Sequence, residues 1–361
     1  MDSEIVYVYP IKQTVSFTLV AKRHIDILRS VGVKILELDE ECIRLRNPPC
    51  QEIKDKIVIT HPIFYTYSVH QVLDVPKCVM VKKMSKALIG FDVCDTDRIS
   101  SAAVKIANMY NLIIVPSTFC KQVYIESGVE TNIEVVPHGI SEKFMRETKE
   151  PQTELGKQLL KQKQENNYIY VLFFLWHSGY RKGADLVYYL MKRVQKQYKN
   201  VILLIKRTSN LDPLLGKLKE LKHIEIAKWC SEEELVDIYD VSDICLVLSR
   251  GGGFELNALE ALARGVPTLV PKYGCFLDYI EYTIPVEIEK FVKTYERSPI
   301  HIGDGYEVCL KDAYEKICDV LNNLERYKEE FTKRRVEIWR RFNWKSIGVI
   351  LINTFTTYGI I

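Results

Sequence analysis

The chain has 361 residues, 47% of them hydrophobic, enough for one oversized domain or two ordinary ones with real cores. Its net charge of +3 is too mild for a nucleic-acid binder but suits an anionic ligand or a weakly anionic membrane surface. The ten cysteines form no C-x-x-C pair and several fall in apolar stretches, so reduced, buried thiols are expected rather than disulfides or zinc ligands.

Strand-like and helix-like segments alternate throughout, which predicts parallel α/β layers. The opening, MDSEIVYVYP, has no basic region and no long apolar run, so no signal peptide is expected. Within it Ile5–Tyr9 reads as a strand. Ser16–Val31 reads as a helix, because Val20, Ile27, Leu28 and Val31 share a face and Gly32 stops it. Strands are predicted at Val33–Leu38, Ile57–Thr60 and Cys78–Val81, then a helix near Ile99–Tyr110. A strand at Leu112–Pro116, a helix at Thr118–Ser127 and a strand at Ile133–Pro137 follow. Ser141 to Asn167 is polar and reads as a junction between domains, helical around Leu155–Leu160.

The alternation then restarts with strand Tyr168–Trp176, helix Ala184–Tyr198 and strands Val201–Ile205 and His223–Ala227. Ser231-Glu232-Glu233-Glu234 is a capping box that opens a helix through Tyr239. Asp243–Ser249 is a buried strand, followed by three glycines, a helix ending at Gly265 and a strand at Pro267–Pro271. From Glu307 the chain reads as helical, with Arg326–Arg341 and Ser346–Thr357 as its last two helices. No segment approaches the roughly 18 apolar residues of a membrane span. The expected division is 1–150 plus 343–361 and 151–342, in the cytoplasm, with peripheral membrane contact left open.

Ligands of open parallel sheets bind beyond the carboxyl ends of the strands. Four loops of the second half qualify. In 177–183 (HSGYRKG) the glycines allow close backbone approach, and Arg181 and Lys182 can neutralise a diphosphate; the bland alternative is a basic surface loop. Lys206-Arg207 supplies positive charge after strand Val201–Ile205, or is a solvated strand end. Lys228-Trp229-Cys230 can hold a nucleobase by backbone contacts, or Trp229 is ordinary packing. The loop from Gly251 to Glu260 says most. Three consecutive glycines cost folding entropy, and between a strand end and a helix start their N–H groups can face a phosphate. Glu260, one turn into the helix, can reach a ribose hydroxyl.

Together with Val115–Phe119 and Ile133–Ile140 (IEVVPHGI), these segments resemble the retaining GT-B glycosyltransferases of glycosyltransferase family 4 over most of residues 90–280. Arg181-Lys182-Gly183 resembles the family's phosphate loop, and Ser231–Asp243 the helix leading to its donor site. Ser249–Pro267 resembles its carboxylate motif, two glutamates separated by seven residues. The resemblance implies two Rossmann-like domains with parallel sheets facing across a cleft, and a C-terminal helix crossing back to the first. The N-terminal domain is then acceptor-side and the C-terminal domain binds the donor.

The resemblance further implies transfer of a hexosyl group from a nucleotide-diphosphate sugar with configuration retained. Neither a metal nor a cofactor beyond the donor substrate is expected. The implied catalytic residues are Lys182, Arg181, Glu255 and His138. The implied donor-binding residues are Gly251, Gly252, Gly253, Phe254, Leu256, Glu260, Arg207 and Trp229. With Glu260 on the second glutamate, Gly252 stands where the family's first glutamate contacts the donor sugar. Glu255 lies five positions before Glu260. His138 reads as a contact for the transferred sugar or acceptor, or as a loop histidine before Gly139; His61 has similar placement. Asp95, Asp97 and Arg98 read as acceptor-lining residues, or the aspartates as a helix cap. The acceptor is a carbohydrate, lipid or protein, nucleic acid is not a partner, and the oligomeric state is open. Two alternatives stand beside this reading: a catalytically silent module of the same fold that binds a nucleotide or partner, and a nucleotide-sugar epimerase.

Overall fold

A computed structural model describes residues 4–176, 178–208 and 212–361. The chain divides into two compact units. Unit 1 is the segment ending at Gly139 together with Tyr295–Asp304 and Trp344–Ile361; unit 2 is Ile140–Thr294 with Gly305–Asn343.

Unit 1 holds six strands: β1 (Ile5–Tyr9), β2 (Ile35–Asp39), β3 (Ile57–Thr60), β4 (Ala87–Phe91), β5 (Leu112–Val115) and β6 (Ile133–Val135). They form one parallel sheet in the order β2-β1-β3-β4-β5-β6. Every residue of β1, β3 and β5 is buried, as a parallel sheet covered on both faces requires. Helix α1 (Ser16–Ser30) turns Val20, Ala21, Ile25 and Leu28 inward. The helix Trp344–Thr357 packs beside it and buries Ile347, Leu351 and Phe355.

Three sequence expectations change here. Cys78–Val81 is not a strand; it lies in the helix Val75–Met84, whose first turn contains Pro76 and whose Asp74 side chain accepts from Lys77 N. The inserted strand is β4, between β3 and β5, which the sequence reading passed over. The segment 295–304, placed by sequence in the second domain, is held in unit 1. Asp97 N donates to Asp304 O at 2.9 Å, Ser100 N to Ile300 O at 2.8 Å, and Tyr295 Oη to Asp95 at 2.6 Å. Asp95 and Asp97 are therefore engaged by this returning segment. The helix cap expected of them is supplied by Ser100, whose Oγ accepts from Ala103 N.

Unit 2 carries β7 (Ile169–Leu175), β8 (Val201–Arg207), β9 (His223–Ala227), β10 (Ile244–Leu246), β11 (Thr268–Pro271) and β12 (Ile284–Val286). Their order is β9-β8-β7-β10-β11-β12, again all parallel. Three helices matter for the site: α2 (Ala184–Gln197), α3 (Glu232–Val241) and α4 (Leu256–Ala263). The predicted capping box opens α3, with Ser231 Oγ accepting from Glu234 N at 3.2 Å and Glu234 Oε2 accepting from Ser231 N at 3.0 Å. The chain runs β7, β8, β9 to one edge and returns to the other side of β7 with β10. The loops after β7 and β10 thus diverge at the point where the strand order reverses, the usual ligand crevice of such a sheet. Among the described residues no helix is long and apolar enough to cross a membrane.

Candidate functional site

The two loops at that reversal are stitched together. Arg250 N donates to Arg181 O at 2.6 Å, and the buried Arg181 guanidinium donates from Nη1 to Gly251 O at 2.9 Å. Gly183, the N-cap of α2, has φ +74°, and a Cβ there would stand 2.1 Å from Leu248 O, so only glycine lets the loops meet. Lys182 then reaches across: its Nζ lies 2.6 and 2.7 Å from the two carboxylate oxygens of Glu255, 73 residues later in the chain. Glu255 is the N-cap residue of α4, and its side chain is 3% exposed against 20% for Lys182.

Behind this pair sits a residue the sequence reading missed. Arg250 is 1% exposed. It grips Asp185 through two bonds of 2.7 Å, Glu307 at 2.9 and 2.6 Å, and Tyr180 O at 2.6 Å, with the Tyr180 ring 3.9 Å from its guanidinium carbon. A fully desolvated guanidinium needs this many acceptors. The signal was available: an arginine directly after a buried strand, where solvent cannot serve it.

Glu260 follows on the next turn of α4. Its carboxylate accepts from Tyr239 Oη at 2.8 Å, and burial pushes it up to about 7. Phe254 packs on Tyr279 with ring centroids 5.9 Å apart, and Leu256 opens α4, half-buried. Gly251, Gly252 and Gly253 are buried in the turn. Arg207, at the end of β8, is paired with Glu225 and donates to Thr208 O at 2.5 Å. Trp229, half exposed, lies edge-on to Trp176 at 5.1 Å, and Lys206 fixes its loop by donating to Lys228 O at 2.7 Å. His177 of the first loop lies outside the described residues.

His138 belongs to unit 1, in a different company. With His24, His61, Asp92 and Phe91 it lines a small cavity beyond the strand ends, about 10 Å³ at water-centre positions, room for about one water. Tyr7 Oη bonds His61 Nδ1 at 3.0 Å and His24 Nδ1 at 3.4 Å, while among the described residues buried His24 Nε2 has no hydrogen-bond partner. Burial drives His24 and His138 down to about 3 and His61 well below its ordinary value. It lifts Asp92 to about 7. This edge is therefore built of uncharged imidazoles.

The family model described as Glycosyl transferases group 1 matches residues 156–287, which span both loops of the site. An uncharacterized protein, protein 356 of Sulfolobus islandicus rod-shaped virus 1, is 30% identical over 367 residues, covering 99% of this chain and 100% of its own length. Putative glycosyltransferase 45 of Sulfolobus islandicus filamentous virus (isolate Iceland/Hveragerdi) is 27% identical over 269 residues, 72% of this chain and 71% of that one. A trehalose-6-phosphate structure from E. coli, bound with UDP-2-fluoro glucose, shares the fold with a TM-score of 0.69 over 98% of each chain, at 11% identity. The chain belongs to the group 1 glycosyl transferases, built on the GT-B fold.

Proposed function

We propose that the protein transfers a hexosyl group from a nucleotide-diphosphate sugar to a carbohydrate, lipid or protein acceptor, with anomeric configuration retained. One observation carries the reading: a cation, a carboxylate and a triglycine turn converge at the strand-order reversal of unit 2. The bound UDP sugar of the E. coli relative in fold supports the donor class.

In this reading the Lys182 ammonium and the Gly251–Gly253 amides at the start of α4 take up the charge that develops on the diphosphate as its bond to the sugar breaks. Such preorganised charge is the usual dominant contribution to catalysis. Arg181 braces the turn from behind and adds its field. Glu260 receives a ribose hydroxyl, Trp229 borders the base, Phe254 and Leu256 wall the pocket, and Arg207 adds positive charge at the strand end. His138 contacts the transferred sugar or the acceptor. The leaving group is neutralised by these groups rather than by a metal ion, and no cofactor beyond the donor takes part. The proposed setting is the cytoplasm, with a membrane surface where the acceptor is a lipid.

The test is a thermal-shift screen with UDP, GDP and ADP, followed by donor turnover. At least one nucleotide raises the melting temperature, and Glu260→Ala abolishes that rise. Lys182→Ala lowers turnover by about 10²–10³-fold, and EDTA leaves wild-type turnover unchanged. If none of the three nucleotides shifts the melting temperature, the donor reading is lost. A silent module is the second reading, favoured by Gly252 at the first glutamate position; nucleotide stabilisation with no donor hydrolysis or transfer would establish it.

A further inference from the structure

We infer that Cys42 and Cys50 are an oxidation site: peroxide joins them in a reversible disulfide that staples the loop after β2 in unit 1. The inference does not rest on the donor reading and survives its failure.

All ten cysteines carry free thiols in the structure, and the geometry singles out this pair. Cys42 lies in the short helix Glu41–Arg44, and Cys50 directly precedes the turn Gln51–Ile53. Cys50 N donates to Cys42 O at 3.1 Å. A backbone bond of that length keeps the two Cα atoms within about 7 Å, the limit beyond which a disulfide cannot be made. The side chains converge as well, since the Cys42 S–H donates to Cys50 Sγ. That bond holds the Cys50 thiol below its ordinary range, whereas burial pushes Cys78 and Cys120 up to about 12. A thiol favoured as thiolate beside a second thiol is a nucleophile with its resolving partner. Access suits a small oxidant: Cys50 is 4% exposed, in the core with Ile43 and Ile53, and Cys42 packs against it half-buried. The other close pair does not qualify. Cys94 N donates to Cys120 Sγ at 3.2 Å, and burial raises both of those thiols.

The Cys50 thiolate attacks one peroxide oxygen; the S–O bond forms, the O–O bond breaks, and hydroxide leaves to take up a proton. The Cys42 sulfur then attacks Cys50. The S–S bond forms, the S–O bond breaks, and the Cys42 proton departs with the leaving oxygen as water. Two thiols and one peroxide become one disulfide and two waters, and the sulfurs lose the two electrons that the peroxide gains. The crosslink closes a ring around Arg44, whose guanidinium lies 3.2 Å from the Glu40 carboxylate and 4.9 Å from the Tyr65 ring centre. The loop that follows β2 thereby loses freedom in the unfolded chain and gains a brace in the folded one.

The experiment treats the whole folded protein with hydrogen peroxide in slight excess, blocks the remaining thiols with iodoacetamide and maps the digest by mass spectrometry. Wild type yields a Cys42–Cys50 crosslinked peptide, and dithiothreitol restores both thiols. The oxidised form melts about 5 °C above the reduced one. Cys42→Ser forms no crosslink and shows no such rise; its Cys50 sulfenic acid is captured by dimedone, which wild type escapes by resolving it. Four results on wild type overturn the inference. Both thiols stay open to iodoacetamide after peroxide. Either one pairs with other cysteines as often as with its neighbour. Dithiothreitol fails to reverse the oxidation. The crosslink lowers the melting temperature, since the native geometry then does not accommodate it.

Discussion

In unit 1 the loops after β3, β4 and β6 bring His61, Asp92 and His138 to the carboxyl edge of a six-stranded parallel sheet. In unit 2 the loops after β7 and β10 bring Lys182, Arg250 and Glu255 to the same edge of a sheet of the same size. The first edge solves desolvation by shedding charge, so its imidazoles stay neutral. The second keeps its charges and pairs Lys182 with Glu255 and Arg250 with Asp185 and Glu307. The backbone plan is shared; what differs is whether a loop delivers a group that can lose its charge or one, like arginine, that cannot. A neutral edge suits hydroxyl recognition, and a charged one suits a diphosphate.

The largest expected effect tests the charged edge. Arg250→Ala leaves Asp185 and Glu307 without their buried cation and should cost about 3–5 kcal/mol of stability in chemical denaturation; a loss below about 1 kcal/mol would show that the network tolerates its removal. The neutral edge is tested by pH. His24 and His138 are lowered to about 3 when folded and return to about 6.5 when unfolded. The unfolded chain therefore binds more protons in that window. Stability is full above about pH 6.5 and falls toward pH 3, by up to about 1.4 kcal/mol per pH unit for each histidine. His24→Gln should flatten the curve by one histidine's share, read as melting temperature against pH. The smallest effect has the opposite sign and lies in unit 2. Glu260, raised to about 7, favours the folded state most fully below the unfolded carboxyl's pKa, and that contribution fades as pH rises through 7. Glu260→Gln should narrow the difference in melting temperature between pH 5 and pH 8; an unchanged difference would mean the carboxylate is well solvated.

Local pattern carried most of the architecture. The buried strand runs, the capping box at Ser231 and the stops at Gly32 and Gly265 were all legible, because each is decided by a few neighbouring residues. Cys78–Val81 misled because four apolar residues fit either period, and only Asp74 and Pro76 upstream mark a helix start. The placement of residues 295–304 was illegible, since it depends on partners such as Asp97 about two hundred positions away. At the site, the triglycine turn and Lys182 announced themselves. The grip of Glu255 on Lys182 and the network around Arg250 did not, because both are made by loops that meet only when the sheet is assembled.

Unit 1 is assembled from three separated stretches of chain, and its last stretch, Trp344–Ile361, follows all of unit 2. A ribosome making this protein must therefore release a sheet whose covering helix has yet to be translated. Until Leu351 and Phe355 arrive, the apolar surface they will cover stays bare, so the N-terminal portion ripens last. A premature stop near the end of the message would injure the beginning of the protein.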